Sequence, residues 1–282
     1  MNLDEIIENA LNEDIGDGDI TSLTLLRSMI PGKARLKVKE RGLLAGIPVA
    51  EKIFHKIDPS LKVILFKKDG DPVKPGDIVL EVKGDVHSIL AAERLVLNFL
   101  QRLSGIATFT SQMVAKMKGL KTRVLDTRKT TPNLRELEKY AVRIGGGMNH
   151  RMGLYDMMLI KDNHVDFAGG IIPVMTALGK YKAAHGKSAV KVEIEVRNLA
   201  ELKDVMEHGI GLVDRIMLDN FTTGDLADAV AVINGRFETE ASGGIGLSNI
   251  RKYAETGVDF ISVGALTHRF RSLDMNLKVV AE

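Results

Sequence analysis

The stretch "RVLDTRKTTPNLRELEKYAVR" (Arg123–Arg143) holds in miniature the unit that builds the second half of the chain. A short apolar run, Arg123 to Leu125, stops at Asp126. A connection follows with three hydroxyls (Thr127, Thr130, Thr131) and two adjacent cations, Arg128 and Lys129. Pro132 closes it, and a helical pattern spans Asn133 to Arg143, as expected with Pro near a first turn. Such a cationic connection between strand and helix is either a solvated turn or the lining of a site for something strongly anionic.

Outward from this stretch the rhythm repeats. Apolar strand candidates are Arg123 to Leu125, Met157 to Ile160, Val190 to Val196, Val213 to Leu218, Phe237 to Ala241 and Val258 to Val263. Helical patterns separate them at Asn133–Arg143, Gly170–His185, Leu199–His208, Leu226–Asn234 and Ser248–Thr256. Strands alternating with crossover helices imply a parallel sheet. About six strands fit either an open doubly wound sheet or an incomplete barrel.

In both architectures the carboxyl ends of the strands form one face, where ligands bind. After the first strand come Thr127, Arg128 and Lys129; after the second, Lys161, Asp162, Asn163 and His164. The third ends at Glu193 and Glu195, and the fourth at Asp219 and Asn220. The fifth runs into "SGGIG" (Ser242–Gly246) and the sixth into Gly264, while "GGGMNHR" carries His150 and Arg151 towards the second strand. Each group alone has an ordinary explanation: solvated cations, helix caps, a simple turn. Together they deliver a cationic pocket (Arg128, Lys129, His150, Arg151, Lys161), two carboxylates suited to sugar hydroxyls (Glu195, Asp219) and glycine loops suited to a phosphate. A substrate set combining carboxylates, a sugar and phosphates uses all of them.

The first half reads differently. "KARLKVKER" (Lys33–Arg41) and "LKVILF" (Leu61–Phe66) alternate as half-buried strands, Pro48 to Ile57 reads as a helix, and "KDGDPVKPGDIVLEVKG" as a hairpin-rich segment. This implies a small α+β, sandwich-like domain. A helix from His87 to Leu103 follows with a very wide apolar arc; Arg94, Asn98, Gln101 and Arg102 share its polar stripe. So wide an arc implies cover from a second domain or subunit, and Glu93, inside the arc, needs a partner. The expected fold is α/β: an N-terminal domain over residues 1–110 and an incomplete α/β barrel over 111–282, with the last residues packing back on the first domain.

Composition removes several classes. The 282 residues are 45% hydrophobic and 27% charged, with no cysteine and a net charge of +2, so no disulfide framework, thiolate nucleophile or nucleic-acid footprint is expected. Lys121 to His164 nevertheless holds nine Lys/Arg against five acids. The acidic, amphipathic start is neither secretory signal nor transit peptide, and no apolar run approaches a membrane span, so a cytoplasmic protein is expected. No P-loop, no G-x-G-x-x-G after a strand and no paired metal-ligating His on one helix occurs; "DIGDGDIT" lacks the calcium-loop spacing. A Gly-Asp hairpin faintly resembles lipoyl carriers but offers no modifiable Lys at its tip.

The blocks "LDTRKTTPNLRELEKYAVRIGGGMNHRMGLYDMMLIKDNH", "AAERLVLNFLQRLSGIAT", "EIEV", "LDNF" and "EASGGI" closely resemble the decarboxylating quinolinate phosphoribosyltransferases of NAD biosynthesis (nicotinate-nucleotide pyrophosphorylases). The likeness covers nearly the whole chain. It implies an N-terminal α/β domain, an incomplete barrel, and a homodimer as the minimal unit, with a hexamer or other even oligomer compatible. It further implies quinolinate held by Arg128, His150, Arg151 and Lys161, with Arg94 from the neighbouring subunit. Phosphoribosyl pyrophosphate would meet Lys129 and Lys161 at its phosphates, Glu195 and Asp219 at its ribose, and Ser242, Gly243, Gly244 and Gly264 at its 5′-phosphate. Lys129, Lys161, Glu195 and Asp219 are the expected catalytic groups. Mg2+ is expected on the pyrophosphate near Glu195 and Asp219, with no direct protein ligand. The nearer rival is a phosphoribosyltransferase with another acceptor, nicotinate or that of the molybdenum-transport paralogue; the farther is a Schiff-base lyase using Lys161.

Overall fold

The computed structural model describes residues 2–26, 30–186 and 189–280. In chain order the elements are α1 (Leu3–Ile15), α2 (Ile20–Leu25), β1 (Pro31–Val38), β2 (Gly42–Leu43), α3 (Ile47–Ile57), β3 (Lys62–Leu65), β4 (Pro72–Val73), β5 (Ile78–Asp85) and α4 (Val86–Lys116). They continue with β6 (Arg123–Leu125), α5 (Arg135–Ile144), β7 (Met158–Ile160), α6 (Asp162–Ala168), α7 (Ile171–His185), β8 (Val192–Val196) and α8 (Leu199–His208). The last are β9 (Arg215–Asp219), α9 (Thr223–Ile233), β10 (Glu238–Ser242), α10 (Ile250–Ala254), β11 (Phe260–Ser262), α11 (Ala265–His268) and β12 (Met275–Val279).

Contacts group the chain into two compact units: residues 1–111 with 130–146 and 266–282, and residues 112–129 with 147–265. The first grouping is discontinuous, whereas the sequence reading draws one boundary between residues 110 and 111. Its physical origin is local: Glu138 of α5, fully buried, ion-pairs with Arg102 of α4. The backbone at Gly145 meets α4 so closely that a Cβ there would lie 2.5 Å from the Ala107 carbonyl oxygen.

The sheet of the first unit runs β12-β1-β5-β3, antiparallel throughout. In β1 the alternation read from sequence holds: Ala34, Leu36 and Val38 are buried between exposed neighbours. The C-terminal strand β12 pairs with β1, Leu277 opposite Leu36. Helix α4 reaches Lys116, well past the expected stop at Leu103. A Cβ at Gly105 would sit 2.3 Å from the Arg271 carbonyl oxygen, so this glycine inside the helix serves close backbone approach. Glu93 is half-buried with no ion pair to another described residue.

The sheet of the second unit has six parallel strands in the order β6-β11-β10-β9-β8-β7. Strands β7 to β11 are neighbours in chain order, and the first strand, β6, pairs with the last, β11. That pairing of first with last selects the incomplete barrel over the open doubly wound sheet; the seam lies between β6 and β7. Strand alternation sorts the chemistry. In β8, "VEIEV", Val192, Ile194 and Val196 are fully buried on the face that helices such as α8 cover, and Glu193 and Glu195 lie on the other. Register sets Glu193 beside Arg215, Glu238 beside Arg215, and Ser242 beside Asp219. The inner face is therefore lined by charge in place of the usual aliphatic layers.

Candidate active site

Parallel pairing puts every strand's carboxyl end on one rim, and two carboxylates, Glu195 and Asp219, occupy its middle. Asp219 closes β9, and Glu195, 9% exposed, sits near the end of β8. Burial raises the Glu195 carboxyl above its ordinary range, the Asp219 charge raises it further, and Lys161 opposes both. These three groups thus feel one another across neighbouring strand ends. Lys161 follows β7 at the entry to α6, where its backbone N–H donates to His164 Nδ1 at 2.9 Å. Glu193, expected at the rim with Glu195, lies one level deeper and is completely buried, because residues two apart on a strand differ in depth along the barrel.

The glycine loop after β10 is built around a neighbour. Asn220 adopts a left-handed conformation (φ 57°), donates its side-chain amide to Asp219 Oδ2 at 2.5 Å, and donates its backbone N–H to the Ser242 carbonyl at 2.8 Å. A Cβ at Gly243 (φ 100°) would lie 2.1 Å from Asn220 Oδ1, so glycine there lets Asn220 hold Asp219. Gly244 (φ 61°) faces open space. Asn249 ties the loop by accepting from Gly246 N–H (2.8 Å) and donating to the Gly244 carbonyl (3.2 Å). Gly264 follows β11 on the same rim, and the helices after these two loops, α10 and α11, have only five and four residues.

The cationic end comes from two segments. Arg128 and Lys129 are exposed after β6, and the Lys129 N–H donates to Thr127 Oγ1 at 3.0 Å. The other two threonines turn to neighbouring side chains: Thr130 accepts from Arg135 Nε at 2.9 Å, and Thr131 bonds both Arg102 and Glu138. Arg151, 8% exposed, donates to the Met157 carbonyl at 3.2 Å. Burial and the like charge of Arg128 hold its guanidinium below its ordinary range, while Asp156 and Glu193 act in the opposite sense. A buried guanidinium opposed by a second one is suited to a dianion, which accepts hydrogen bonds from both.

Asp126, fully buried, organises the approach: it accepts from the His150 N–H (2.8 Å) and from Asn149 Nδ2 (2.5 Å). The two nitrogens of the His150 ring have different surroundings. Nδ1 accepts from the Arg151 N–H at 2.7 Å, and Nε2 lies 3.0 Å from Glu193 and 3.6 Å from Glu240. The resemblance assigns His150 to quinolinate; here its ring lies next to Arg151, from whose backbone N–H it accepts.

The rim thus unites Arg128, Lys129, Arg151, Lys161, Glu195, Asp219, Ser242, Gly243, Gly244 and Gly264. Arg94 lies in the first unit, exposed on α4 and without a partner among the described residues. The sequence places Glu193 and Asn220 at strand ends without giving them a role, and it does not mark Asp126, Arg215 or Glu240. The charged residues at alternate positions in "VEIEV", "RIMLD" and "ETEAS" were the available signal for Glu193, Arg215 and Glu240.

An incomplete parallel barrel with cations, carboxylates and a glycine loop on its carboxyl rim defines an enzyme that handles anionic, phosphorylated substrates. Residues 19–104 and 106–278 match the N-terminal and C-terminal domains of quinolinate phosphoribosyl transferase, and the chain belongs to this family. It is 46% identical over 293 residues, covering 99% of this chain and 78% of the relative, to rice chloroplastic nicotinate-nucleotide pyrophosphorylase [carboxylating]. A probable enzyme of that name from Bacillus subtilis is 39% identical, with 99% and 94% covered. Among solved structures, NadC from Streptococcus pyogenes superposes with a TM-score of 0.91 at 39% identity, covering 99% of this chain and 97% of that one. Nicotinate-nucleotide pyrophosphorylase from Francisella tularensis gives 0.91 at 41%, covering 99% and 98%. Human nicotinic acid phosphoribosyltransferase, at 13% identity and a TM-score of 0.61, shares the fold alone.

Proposed function

We propose that this protein transfers the phosphoribosyl group of phosphoribosyl pyrophosphate to the ring nitrogen of quinolinate, releasing CO2 and pyrophosphate and forming nicotinate mononucleotide. The observation that carries the acceptor is the Arg128–Arg151 guanidinium pair, whose mutual repulsion two adjacent substrate carboxylates relieve. Lys161 and, from a second subunit, Arg94, which has no partner among the described residues, complete the cationic set. Glu195 and Asp219 receive the ribose hydroxyls, Lys129 and Lys161 the pyrophosphate, and Ser242, Gly243, Gly244 and Gly264 the 5′-phosphate.

As the carbon–oxygen bond to pyrophosphate breaks, positive charge builds on the ribose, and the two rim carboxylates stabilise it. The new bond makes the ring a pyridinium, which takes up the electron pair left when the C2 carboxylate departs; a proton then fills that position. The protein's main contribution is to hold two polyanions side by side. Mg2+ fits here: burial and the neighbouring Asp219 disfavour the Glu195 charge, and a cation beside it would relieve this. Bound, it would neutralise charge on the leaving pyrophosphate.

A homodimer follows from the Arg94 assignment, and a cytoplasmic location from the sequence reading; no helix among the described residues is long and apolar enough to cross a membrane. The test measures CO2 release with quinolinate and nicotinate in parallel, each with and without phosphoribosyl pyrophosphate. Release from quinolinate only when the sugar donor is present is the expected result. Turnover of nicotinate and none of quinolinate refutes the assignment.

A further inference from the structure

Beneath the cationic end of the rim, Glu193 and Glu240 are completely buried beside His150 and Arg215, and the reaction above uses none of these charges directly. His150, Glu193 and Glu240 offer donor atoms within 4.8 Å of one another, the spacing of a metal site. Arg215 already supplies the cation: its Nη1 lies 3.0 Å from Glu240 and 4.0 Å from Glu193, and its guanidinium stacks 4.0 Å over the Phe260 ring. What these groups share is the route to Arg151.

We propose that the buried Glu193–Glu240–Arg215 cluster is a positioning device that orients the His150 ring, which in turn holds the Arg151 backbone so that its guanidinium stands beside Arg128. With Nδ1 accepting from the Arg151 N–H, the ring proton sits on Nε2 and faces Glu193. The approach at 3.0 Å is a close polar contact of a neutral ring with the carboxyl group rather than an aligned hydrogen bond. Asp126 pins the same residue from the other side through the His150 N–H. Ring and backbone of His150 are thus both fixed, and the next residue in the chain is the one whose side chain enters the site.

The cluster also sets the charge under that site. Both Glu193 oxygens and Glu240 Oε1 lack an aligned donor among the described residues. Two buried carboxyls this close satisfy one another by sharing a proton. Burial accordingly pushes Glu193 up to about 7 and Glu240 up to about 8. The groups facing the pair are His150 and Arg151 from the segment before β7, Arg215 of β9, Glu238 of β10 and Ser262 of β11. With one proton held, the remaining negative charge balances Arg215. Losing it places a second negative charge beneath Arg151 and weakens the pull on a dianionic substrate.

The proposal rests on quinolinate as acceptor, so the test includes an arm that needs no turnover. Nitrogen-15 spectra of ring-labelled protein, with the His150 signals assigned by their loss in His150→Asn, should show Nε2 protonated and Nδ1 bare. The Nε2 signal should move in Glu193→Gln. The opposite tautomer, or no response to that change, overturns the proposal whatever the activity. In kinetics, His150→Leu should raise the quinolinate KM by about tenfold, as for one lost hydrogen bond, with the phosphoribosyl pyrophosphate KM near the parent value. His150→Asn, whose Oδ1 replaces Nδ1 as acceptor, should recover most of that affinity. Equal rises for both substrates, or an Asn variant no better than Leu, refute the positioning role. The parent's quinolinate KM should climb as pH passes about 7 to 8, and Glu240→Gln should flatten the climb; an unchanged slope counts against the charge argument. A parent enzyme that does not turn over quinolinate strikes the functional reading and leaves the spectroscopic arm to decide this one.

Discussion

The sharpest quantitative expectation concerns Gly243 and its neighbour Gly244, two glycines that sequence alone does not distinguish. At Gly244 (φ 61°) an added Cβ meets nothing within 4 Å, so Gly244→Ala carries only the left-handed backbone penalty, about 1–2 kcal/mol. At Gly243 (φ 100°) the backbone penalty is joined by a Cβ 2.1 Å from Asn220 Oδ1 and 3.0 Å from the Asn220 backbone nitrogen. Asn220 must move, losing its charge-assisted bond to Asp219 and its backbone bond to Ser242. The first of these is worth about 1.5–3 kcal/mol, which brings Gly243→Ala to roughly 3–5 kcal/mol. Urea unfolding of both variants beside the parent measures the difference. Kinetics supply a second readout: an Asp219 no longer held by Asn220 should raise the phosphoribosyl pyrophosphate KM more in Gly243→Ala than in Gly244→Ala. Equal destabilisation by the two alanines, with equal KM values, would refute the claim that Gly243 exists to seat Asn220.

Three further outcomes are expected. Arg102→Ala strips the partner from the buried Glu138 carboxylate and should cost near the low end of about 3–5 kcal/mol, because Arg102 is itself 29% exposed; urea midpoints test it. The raised carboxyls of Glu193 and Glu240 bind protons more tightly in the folded chain than in the unfolded one. Their contribution is full below the ordinary carboxylate range and is lost as pH rises through about 7 and 8. The urea midpoint should therefore fall from pH 6 to pH 9, and fall less in Glu240→Gln. Finally, mixing Arg94→Ala chains with Glu195→Gln chains should restore about a quarter of parent activity if Arg94 serves the neighbouring subunit's site, since half the dimers are mixed and each then holds one intact site. No recovery in verified mixed dimers refutes the cross-subunit role.

The amino-acid sequence by itself determined the parallel α/β class of the second half, because strand and helix periodicities are local signals. It also placed the rim residues: in a parallel sheet whatever follows each strand arrives on one face, so Arg128, Lys161, Asp219 and Ser242 converge by chain order alone. Strand order was another matter. Barrel closure rests on β6 pairing with β11, far apart in sequence, and no local pattern encodes that choice. The grouping of α5 with the first unit rests likewise on the ion pair of buried Glu138 with Arg102, 36 residues away. The role of His150 depended on tertiary structure for the same reason. A histidine beside an arginine reads as a ligand for an anion, and only the folded barrel brings Glu193, Arg215 and Glu240 from three strands to its ring. Side-chain type is a local property, whereas what a buried charge is paired with depends on which distant segments pack against it.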